Sequence, residues 1–391
     1  MSDIPRSLAV APHVATLSVG YVTFAYTSVP TVVQERYGVS FVAIGLLMSV
    51  VLLGIGLIQI PGGRLLDRIS TIEGLVWVSA VHGILAITLD FAPSFAVLIA
   101  LRMLWGLASG LILLTGATHL ARLYDGRAAT RQQGIFGGML TAGGTIALLV
   151  VPEVVAITGW VGLHAIGALI AGAAILLTLH GSRNEYAREL AAGHGERRPV
   201  RELFSRPPIP ESAIWLAGVC YVAIIGGYIS LSTFISSLFA DLGITKNLDA
   251  VVLFMSSVGR VGGGIVAEAF STTDERMIVV SMGTASVAFV GLAILSGPAL
   301  IVLPLVAMVA ISSPFGAVFN LTSDIAADEK SGAALAIVIA TGNFAGLVFP
   351  TITGAIRDTT GSYASAFGLI AIVCVIGAVA GTFVSTHRIA E

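Results

Sequence analysis

Twelve apolar runs, each about twenty residues long, divide almost the whole sequence and limit the fold more than any other feature. A helix needs about 20 apolar residues to cross the hydrocarbon core of a bilayer. Charged residues make up only 11% of the chain and hydrophobic residues 56%, with a mean hydropathy of +0.96. A soluble domain carries about a quarter charged residues, so this chain is too poor in charge to cover its surface in water. The runs lie at approximately 9–30, 41–61, 73–91, 95–120, 132–152, 160–180, 211–239, 249–269, 277–296, 299–323, 332–355 and 363–385.

The runs are continuous and do not alternate between apolar and polar residues. Membrane β-barrel strands alternate in that way over about ten positions. The sequence therefore predicts an all-α integral membrane protein with twelve transmembrane helices.

The basic residues indicate how the helices are oriented. An excess of Lys and Arg stays in cytoplasmic loops. If the N-terminus is cytoplasmic, fifteen basic residues fall on the cytoplasmic side and three, Arg36, Lys246 and Arg357, fall outside. The other two, Arg102 and Arg260, lie inside apolar runs. We therefore expect a multi-pass protein of the cell membrane with both termini in the cytoplasm.

The longest hydrophilic segment, residues 181–210, separates six runs from six. It carries six arginines and four prolines, a composition typical of a linker rather than a packed core. The predicted organisation is a six-helix half at 1–180, a basic cytoplasmic linker at 181–210, and a six-helix half at 211–391. Two pseudo-symmetric halves are typical of a transporter that binds its substrate near the midplane of the membrane.

Two short motifs stand in the first half of this pattern. Gly63, Asp67 and Arg68 form Gly-x-x-x-Asp-Arg after the second run, and Arg102 begins Arg-x-x-x-Gly-x-x-x-Gly in the fourth. Both resemble signatures of the major facilitator superfamily of secondary transporters, and the twelve runs and central linker resemble that family along the whole chain.

The resemblance implies a cytoplasmic gate at the first motif. Asp67 is expected to accept charge-assisted hydrogen bonds from an arginine at the inner end of the fourth span, where Arg122 is the nearest in sequence. Gly63, Asp67, Arg68 and Arg122 are thus the expected gating residues. The alternative is that Asp67 and Arg68 only mark topology.

Arg260 lies near the middle of the eighth span, where an unpaired guanidinium is costly. It either binds an anionic ligand or pairs with helix carbonyls or a distant carboxylate. Superfamily carriers of nitrate, oxalate and monocarboxylates resemble this pattern around Arg260. Nitrate carriers have a second arginine where Gln59 stands here, so a small carboxylate fits better than nitrate, although Gln59 could equally be a packing amide.

Other polar side chains are expected to line the substrate path if the helices face it as the resemblance implies. A hydroxyl-bearing aromatic can bond a carboxylate while packing an apolar group, although each of these residues could instead serve interhelical packing. The candidates are Tyr21, Tyr26, Tyr221, Tyr228 and Asn343.

Two residues are candidates for coupling transport to an ion gradient. The resemblance associates Arg102 with proton coupling, but a structural role close to the outer surface is equally open. His82 lies about ten residues into the third span and could carry a proton or simply pack. Without it, the anion could move in its own protonated form or by exchange for another anion.

The predicted function is secondary active transport of a small anionic organic solute by alternating access. The alternatives are a proton-coupled exporter of apolar or cationic compounds, and a receptor or scaffold that keeps the fold without transport. No enzyme activity, cofactor, metal or nucleic-acid partner is expected, since Cys220 and Cys374 lack metal-ligand spacing and no phosphate-binding loop is present. The expected partners are the solute, protons or a counter-anion, and the lipid bilayer. The protein is expected to be a monomer.

Overall fold

Helices form all the regular structure in the part of the chain that the structure describes. This computed structural model describes residues 5–66, 69–124, 126–185, 189, 212–244, 247–325 and 331–389. The helices, numbered in chain order, are α1 (Arg6–Ser28), α2 (Pro30–Tyr37), α3 (Phe41–Leu66), α4 (Thr71–Leu89), α5 (Phe95–Leu123), α6 (Gly126–Thr158), α7 (Ala165–Gly181), α8 (Ser212–Asp241), α9 (Leu248–Ala269), α10 (Asp274–Ile294), α11 (Ala299–Ser312), α12 (Phe315–Ile325), α13 (Ser331–Thr360) and α14 (Ala364–Ile389).

The apolar runs and the observed helices correspond along the chain. Among the described residues, 11 helical stretches are long and apolar enough to cross a membrane by length and composition. The sixth predicted span corresponds to α7, a shorter apolar helix of 17 residues. The prediction of an all-helical, multi-pass membrane protein is confirmed.

The tenth predicted span contains a break that the apolar run does not reveal. α11 ends at Ser312 and α12 begins at Phe315, with Ser313 and Pro314 between them. Proline has no N–H to donate, and its ring clashes with the carbonyl four residues earlier, so a helix bends or ends at this residue. Phe315 is the first residue after this break.

Contacts among the described residues divide the chain into two compact units. The first unit is Met1–Val29 with Leu53–Arg206, and the second is Pro30–Leu52 with Pro207–Glu391. α3 therefore begins in the second unit and ends in the first.

The first unit is built around α1, which packs against α5, α6 and α7. Two glycines bring the backbones of α1 and α6 together. A methyl group on Gly20 would overlap the carbonyl of Leu140, and one on Gly143 would overlap the carbonyl of Leu17. Small residues permit such close packing of membrane helices. The neighbours α4 and α5 carry His82 and Arg102 against this central helix.

In the second unit, the first part of α3 packs against the end of α13. A methyl group on Gly45 would overlap the carbonyl of Pro350, and one on Gly354 would overlap that of Phe41. The carboxylate of Asp358 accepts hydrogen bonds from the backbone N–H groups of Phe41 at 3.0 Å and Val42 at 2.9 Å. A carboxylate at a helix N-terminus satisfies free N–H groups and complements the helix dipole, so Asp358 caps α3.

The predicted gate lies partly beyond the described residues. Asp67 and Arg68 fall outside them, as do residues 190–210 of the predicted linker. Gly63 lies in α3, near its end, and Arg122 lies in the last turn of α5. The gating role of these residues remains a prediction.

Candidate functional site

Arg260 lies in the middle of α9, twelve residues after its first residue and nine before its last. Two glycines beside it bring α9 against α11. A methyl group on Gly259 would overlap the carbonyl of Val309, and one on Gly263 would overlap that of Ser313. This close approach places Arg260 next to the break between α11 and α12.

The guanidinium of Arg260 lies over aromatic rings. Its Cζ is 3.9 Å from the ring centroid of Phe315 on α12 and 5.3 Å from that of Tyr228 on α8. Tyr221 and Phe319 extend this group, with ring centroids 5.2 Å apart, and Tyr221 lies 5.4 Å from Phe315. The four residues Tyr221, Tyr228, Phe315 and Phe319 are called the aromatic cluster below.

Arg260 has no acidic partner in the part of the chain that the structure describes. It makes no ion pair or hydrogen bond there, and its Nε is buried without a partner. The hydroxyl of Tyr228 is also buried and unpartnered. Buried polar groups in folded proteins are almost always hydrogen-bonded. Two unpartnered donors on side chains that are in cation–π contact match an anion with more than one acceptor oxygen.

The remaining predicted wall residue of the second unit, Asn343, follows a glycine of α13 that contacts Tyr221. A methyl group on Gly342 of α13 would overlap the ring of Tyr221, so this ring lies directly against α13. Asn343, the next residue, is half-buried. The second unit therefore brings Arg260, Tyr221 and Tyr228 together and places Asn343 beside a contact of Tyr221.

Within the described part of the first unit, the predicted wall residues form no such group around an unpaired cation. Tyr21 and Tyr26 are buried in α1, and Gln59 is half-buried in α3. Tyr26 stacks on Trp160 with ring centroids 5.7 Å apart and meets the ring of His164 edge-on at 4.7 Å.

Arg102 is fully buried and does not extend to the surface. Its Nη1 donates to the carbonyl of Val22 at 2.9 Å, and its Nη2 donates to that of Thr23 at 2.7 Å. The guanidinium also lies over the rings of Tyr26, at 4.7 Å, and Trp105, at 5.2 Å. Bonds to helix carbonyls compensate the burial of its charge, which explains why the side chain does not extend outward.

His82 is fully buried between α1 and α5. Its Nε2 lies 3.0 Å from the hydroxyl oxygen of Ser18, and its Nδ1 lies 3.2 Å from that of Ser109. The ring of Trp105 is adjacent, with centroids 5.0 Å apart. Each ring nitrogen of His82 therefore lies within hydrogen-bond distance of a serine hydroxyl inside an apolar helix bundle.

A buried acid and histidine join two loops of the first unit. Nδ1 of His164 lies 2.6 Å from Oδ1 of Asp90, and the backbone N–H groups of Gly162 and His164 donate to Oδ2 at 3.2 Å. Trp160 donates its Nε1–H to the carbonyl of Asp90 at 2.9 Å. Sequence reasoning did not find this pair, because each residue stands alone at the end of an apolar run.

Phe315 and Phe319 were also missed by sequence reasoning. Each looks like a lipid-facing or packing residue in an apolar run. The available signal was the Ser313-Pro314 pair, which predicts a helix break, followed by aromatics four residues apart, a spacing that puts both on one helix face.

Comparison with known proteins identifies the family. The model of the Major Facilitator Superfamily matches residues 14–326. The probable sulfoacetate transporter SauU of Cupriavidus necator is 25% identical over 392 residues, covering 90% of this chain and 87% of that protein. The cyanate transport protein CynX of Escherichia coli K12 is 23% identical over 359 residues, covering 88% of each.

Solved structures have the same fold at lower identity. A bacterial homologue of the human lysosomal transporter Spinster, inward-facing and occupied, has a TM-score of 0.73 and 15% identity, covering 99% of this chain and 98% of its own. The xylose transporter XylE of Escherichia coli, in an inward-open conformation, has a TM-score of 0.76 and 14% identity, covering 96% and 95%. The family and the curated relatives are transporters rather than enzymes. Because the family model covers well over half of the sequence, the chain belongs to the Major Facilitator Superfamily.

Proposed function

We propose that the chain carries a small organic anion across the cell membrane by alternating access, and that Arg260 binds the negative charge of that anion. The observation that carries the proposal is the half-buried guanidinium of Arg260, which has no acidic partner among the described residues and a buried Nε without a hydrogen bond.

The energetics of the site favour a ligand over a purely structural role. An arginine at the centre of a membrane helix costs about 3 kcal/mol on insertion scales and more in simulations. Cation–π contact with the rings of Phe315 and Tyr228 offsets about 2 kcal/mol when the site is desolvated. Arg102 shows the contrasting case, in which two helix carbonyls hold the guanidinium. A bound anion would supply Arg260 with the oxygen acceptors that the helix carbonyls supply to Arg102.

The donor set suggests a carboxylate or sulfonate as the bound group. A guanidinium presents a planar fork of N–H donors that matches two oxygens of such a group. The unpartnered hydroxyl of Tyr228, whose ring lies 5.3 Å from the guanidinium, is proposed to donate a further bond, and the remaining rings of the aromatic cluster to give an apolar wall. The two curated relatives are named for small anions, sulfoacetate and cyanate, which supports an anionic substrate class.

The roles of the other predicted residues belong to the same proposal. Gln59, Asn343, Tyr21, Tyr26 and Tyr221 are proposed to line the substrate path, and Gly63, Asp67, Arg68 and Arg122 to form the gate. The distribution of basic residues supports cytoplasmic N- and C-termini.

The alternative of a proton-coupled exporter of cations is less compatible with the site. A cationic substrate would meet the positive charge of Arg260, and like charges in a low-dielectric environment repel strongly. A receptor or scaffold is distinguished from a transporter by a measurement of solute flux, because it would show none.

The test is uptake into proteoliposomes of purified protein. Labelled sulfoacetate and cyanate are compared with a labelled quaternary ammonium ion and a labelled sugar. We expect flux of at least one anion and none of the cation or sugar. Flux of the cation alone would overturn the substrate class, and absence of flux for all four would favour the receptor alternative.

The same assay tests the role of Arg260. Arg260→Ala should reduce anion flux about 100-fold or more, because a charged hydrogen-bond partner is removed. Arg276→Ala is the matched control, since Arg276 is an exposed arginine of the same unit, and its flux should stay within about twofold. Equal flux in wild type and Arg260→Ala would remove Arg260 from the binding site.

A further inference from the structure

The two serines around His82 can accept hydrogen bonds from both nitrogens of its ring. The hydroxyl of Ser18 donates to the carbonyl of Gly167 on α7 at 2.7 Å. The hydroxyl of Ser109 donates to the carbonyl of Trp105, one turn earlier on α5, at 2.8 Å. A serine hydroxyl has a single hydrogen, and a carbonyl can only accept. While each hydroxyl donates to its carbonyl, both serine oxygens are available to His82 only as acceptors.

Two acceptors, one at each ring nitrogen, match an imidazolium. Neutral imidazole has one N–H donor and one acceptor nitrogen, whereas the charged form donates from both. All four hydrogen bonds around His82 can exist together only when Nδ1 and Nε2 both carry a proton. The two serine oxygens can therefore satisfy a second proton on a ring that is fully buried.

His119, another buried histidine of the first unit, shows the opposite arrangement. Its Nε2 lies 3.2 Å from the carbonyl of Leu8, which requires an N–H there. Its Nδ1 lies 2.7 Å from the hydroxyl of Thr71, which can donate to it. A neutral ring satisfies both contacts, so His119 is a structural histidine and a matched control for His82.

The neutral form of His82 is also accessible without an unsatisfied group. The hydroxyl of Ser18 can turn from the carbonyl of Gly167 to Nε2 of His82, because the two acceptors share one oxygen donor. Helix carbonyls already accept a backbone hydrogen bond, and the second bond from a side chain is dispensable. Loading and unloading of one proton therefore rearranges one hydroxyl that links α1, α4 and α7.

The charged and titratable groups around His82 lie on α1, on α5 and at the ends of α4 and α7. Trp105 lies between His82 and the guanidinium of Arg102, and its ring faces both. The guanidinium of Arg102 donates to the carbonyls of Val22 and Thr23, and the carboxylate of Asp90 pairs with His164. The groups on the surrounding elements are Tyr21 and Tyr26 on α1, Arg102 on α5, Asp90 after α4, and His164 before α7.

We propose that His82 binds the proton that this transporter carries together with its anion. The proton adds to a ring nitrogen of His82 from water on one side of the membrane and leaves to water on the other, while the anion occupies the site at Arg260. No covalent bond other than N–H forms or breaks. This proposal rests on the proposed function for its partner anion, but the proton site can be measured alone.

The direct test is solid-state nitrogen NMR of the purified full chain, labelled with ¹⁵N-histidine, in lipid bilayers without substrate. Between pH 9 and pH 5, the wild type should gain a signal from a ring with both nitrogens protonated. This signal should be absent from His82→Gln and from His82→Asn, and it should persist in His119→Gln. Ser18→Ala keeps His82 but removes one acceptor, so about tenfold more acid should be needed to produce the signal. If the wild-type signal that both His82 variants lack came from a neutral ring at every pH, the proposal would be overturned.

Transport then tests coupling. In proteoliposomes clamped at zero membrane potential, wild type should accumulate labelled sulfoacetate or cyanate about tenfold for each pH unit of an inward proton gradient, since one pH unit is a tenfold ratio. In His82→Gln this accumulation should fall far more than anion exchange without a pH gradient, and His119→Gln should retain both. Gradient-driven accumulation in the His82 variants would overturn the proposal. The titrating signal without flux of either anion would contradict the proposed function and leave the proton site intact.

Discussion

At the scale of single residues, two arginines inside apolar helices differ in their partners. Arg102 has two helix carbonyls as acceptors, and Arg260 has aromatic rings but no oxygen acceptor among the described residues. Both were recognised in the sequence as charges inside apolar runs. Their neighbours could not be predicted, because the acceptors and rings come from helices distant in sequence.

Tyr228→Phe tests the hydroxyl beside Arg260. The substitution keeps the ring 5.3 Å from the guanidinium and removes only the unpartnered hydroxyl. A hydrogen bond to a charged group contributes about 1.5 kcal/mol or more, so the KM for the transported anion should rise roughly tenfold or more. The uptake assay measures this change.

Tyr363→Phe is the control for this variant, because Tyr363 packs against Phe367 and Phe234 away from Arg260. Its KM should stay within about twofold of wild type. An unchanged KM in Tyr228→Phe would show that this hydroxyl does not touch the substrate.

At the scale of elements, the length of the apolar runs predicted the helices, and individual residues explain where the observed helices differ from those runs. Runs of about twenty apolar residues were sufficient to locate the spans, since a membrane helix must satisfy its own backbone hydrogen bonds. The Ser313-Pro314 break was hidden by the apolar residues around it. No local pattern marks Leu52 and Leu53 as the place where α3 passes from one unit to the other, because this depends on contacts of Gly45 and Asp358 with distant residues.

Gly263→Ala tests the close approach of α9 and α11 that positions Arg260. The added methyl group would overlap the carbonyl of Ser313, and such overpacking costs about 1 to 3 kcal/mol. We expect lower thermal stability in detergent and reduced anion flux, because α9 must move away from α11.

Gly264→Ala is the matched control for this helix. A methyl group on Gly264 would meet nothing within 4 Å, so stability and flux should remain close to those of wild type. If both variants behaved like wild type, the contact of α9 with α11 would not be needed to position Arg260.

At the scale of the whole molecule, family membership establishes that the protein is a transporter but does not identify its substrate. The matched family and the relatives establish a membrane transporter. Identities of 23% and 25% to carriers named for different small anions do not determine the substrate. The division of roles proposed here assigns the anion to the second unit and the proton to the first.

Asp67→Asn tests the proposed cytoplasmic gate. Removal of the negative charge weakens the charge-assisted bonds expected to hold the gate closed. Anion flux should be abolished, while the amount of protein in the membrane stays unchanged. Glu73→Gln, an exposed acid nearby in the chain, should transport normally, and normal transport by Asp67→Asn would reduce its role to that of a topological marker.

The most direct test of the central claim is equilibrium binding of the transported anion to purified protein by calorimetry. Wild type and Arg276→Ala should bind the anion with affinities within about twofold of each other. Arg260→Ala should bind it at least about 100-fold more weakly. Equal affinity of wild type and Arg260→Ala would contradict the assignment of Arg260 as the group that binds the anion.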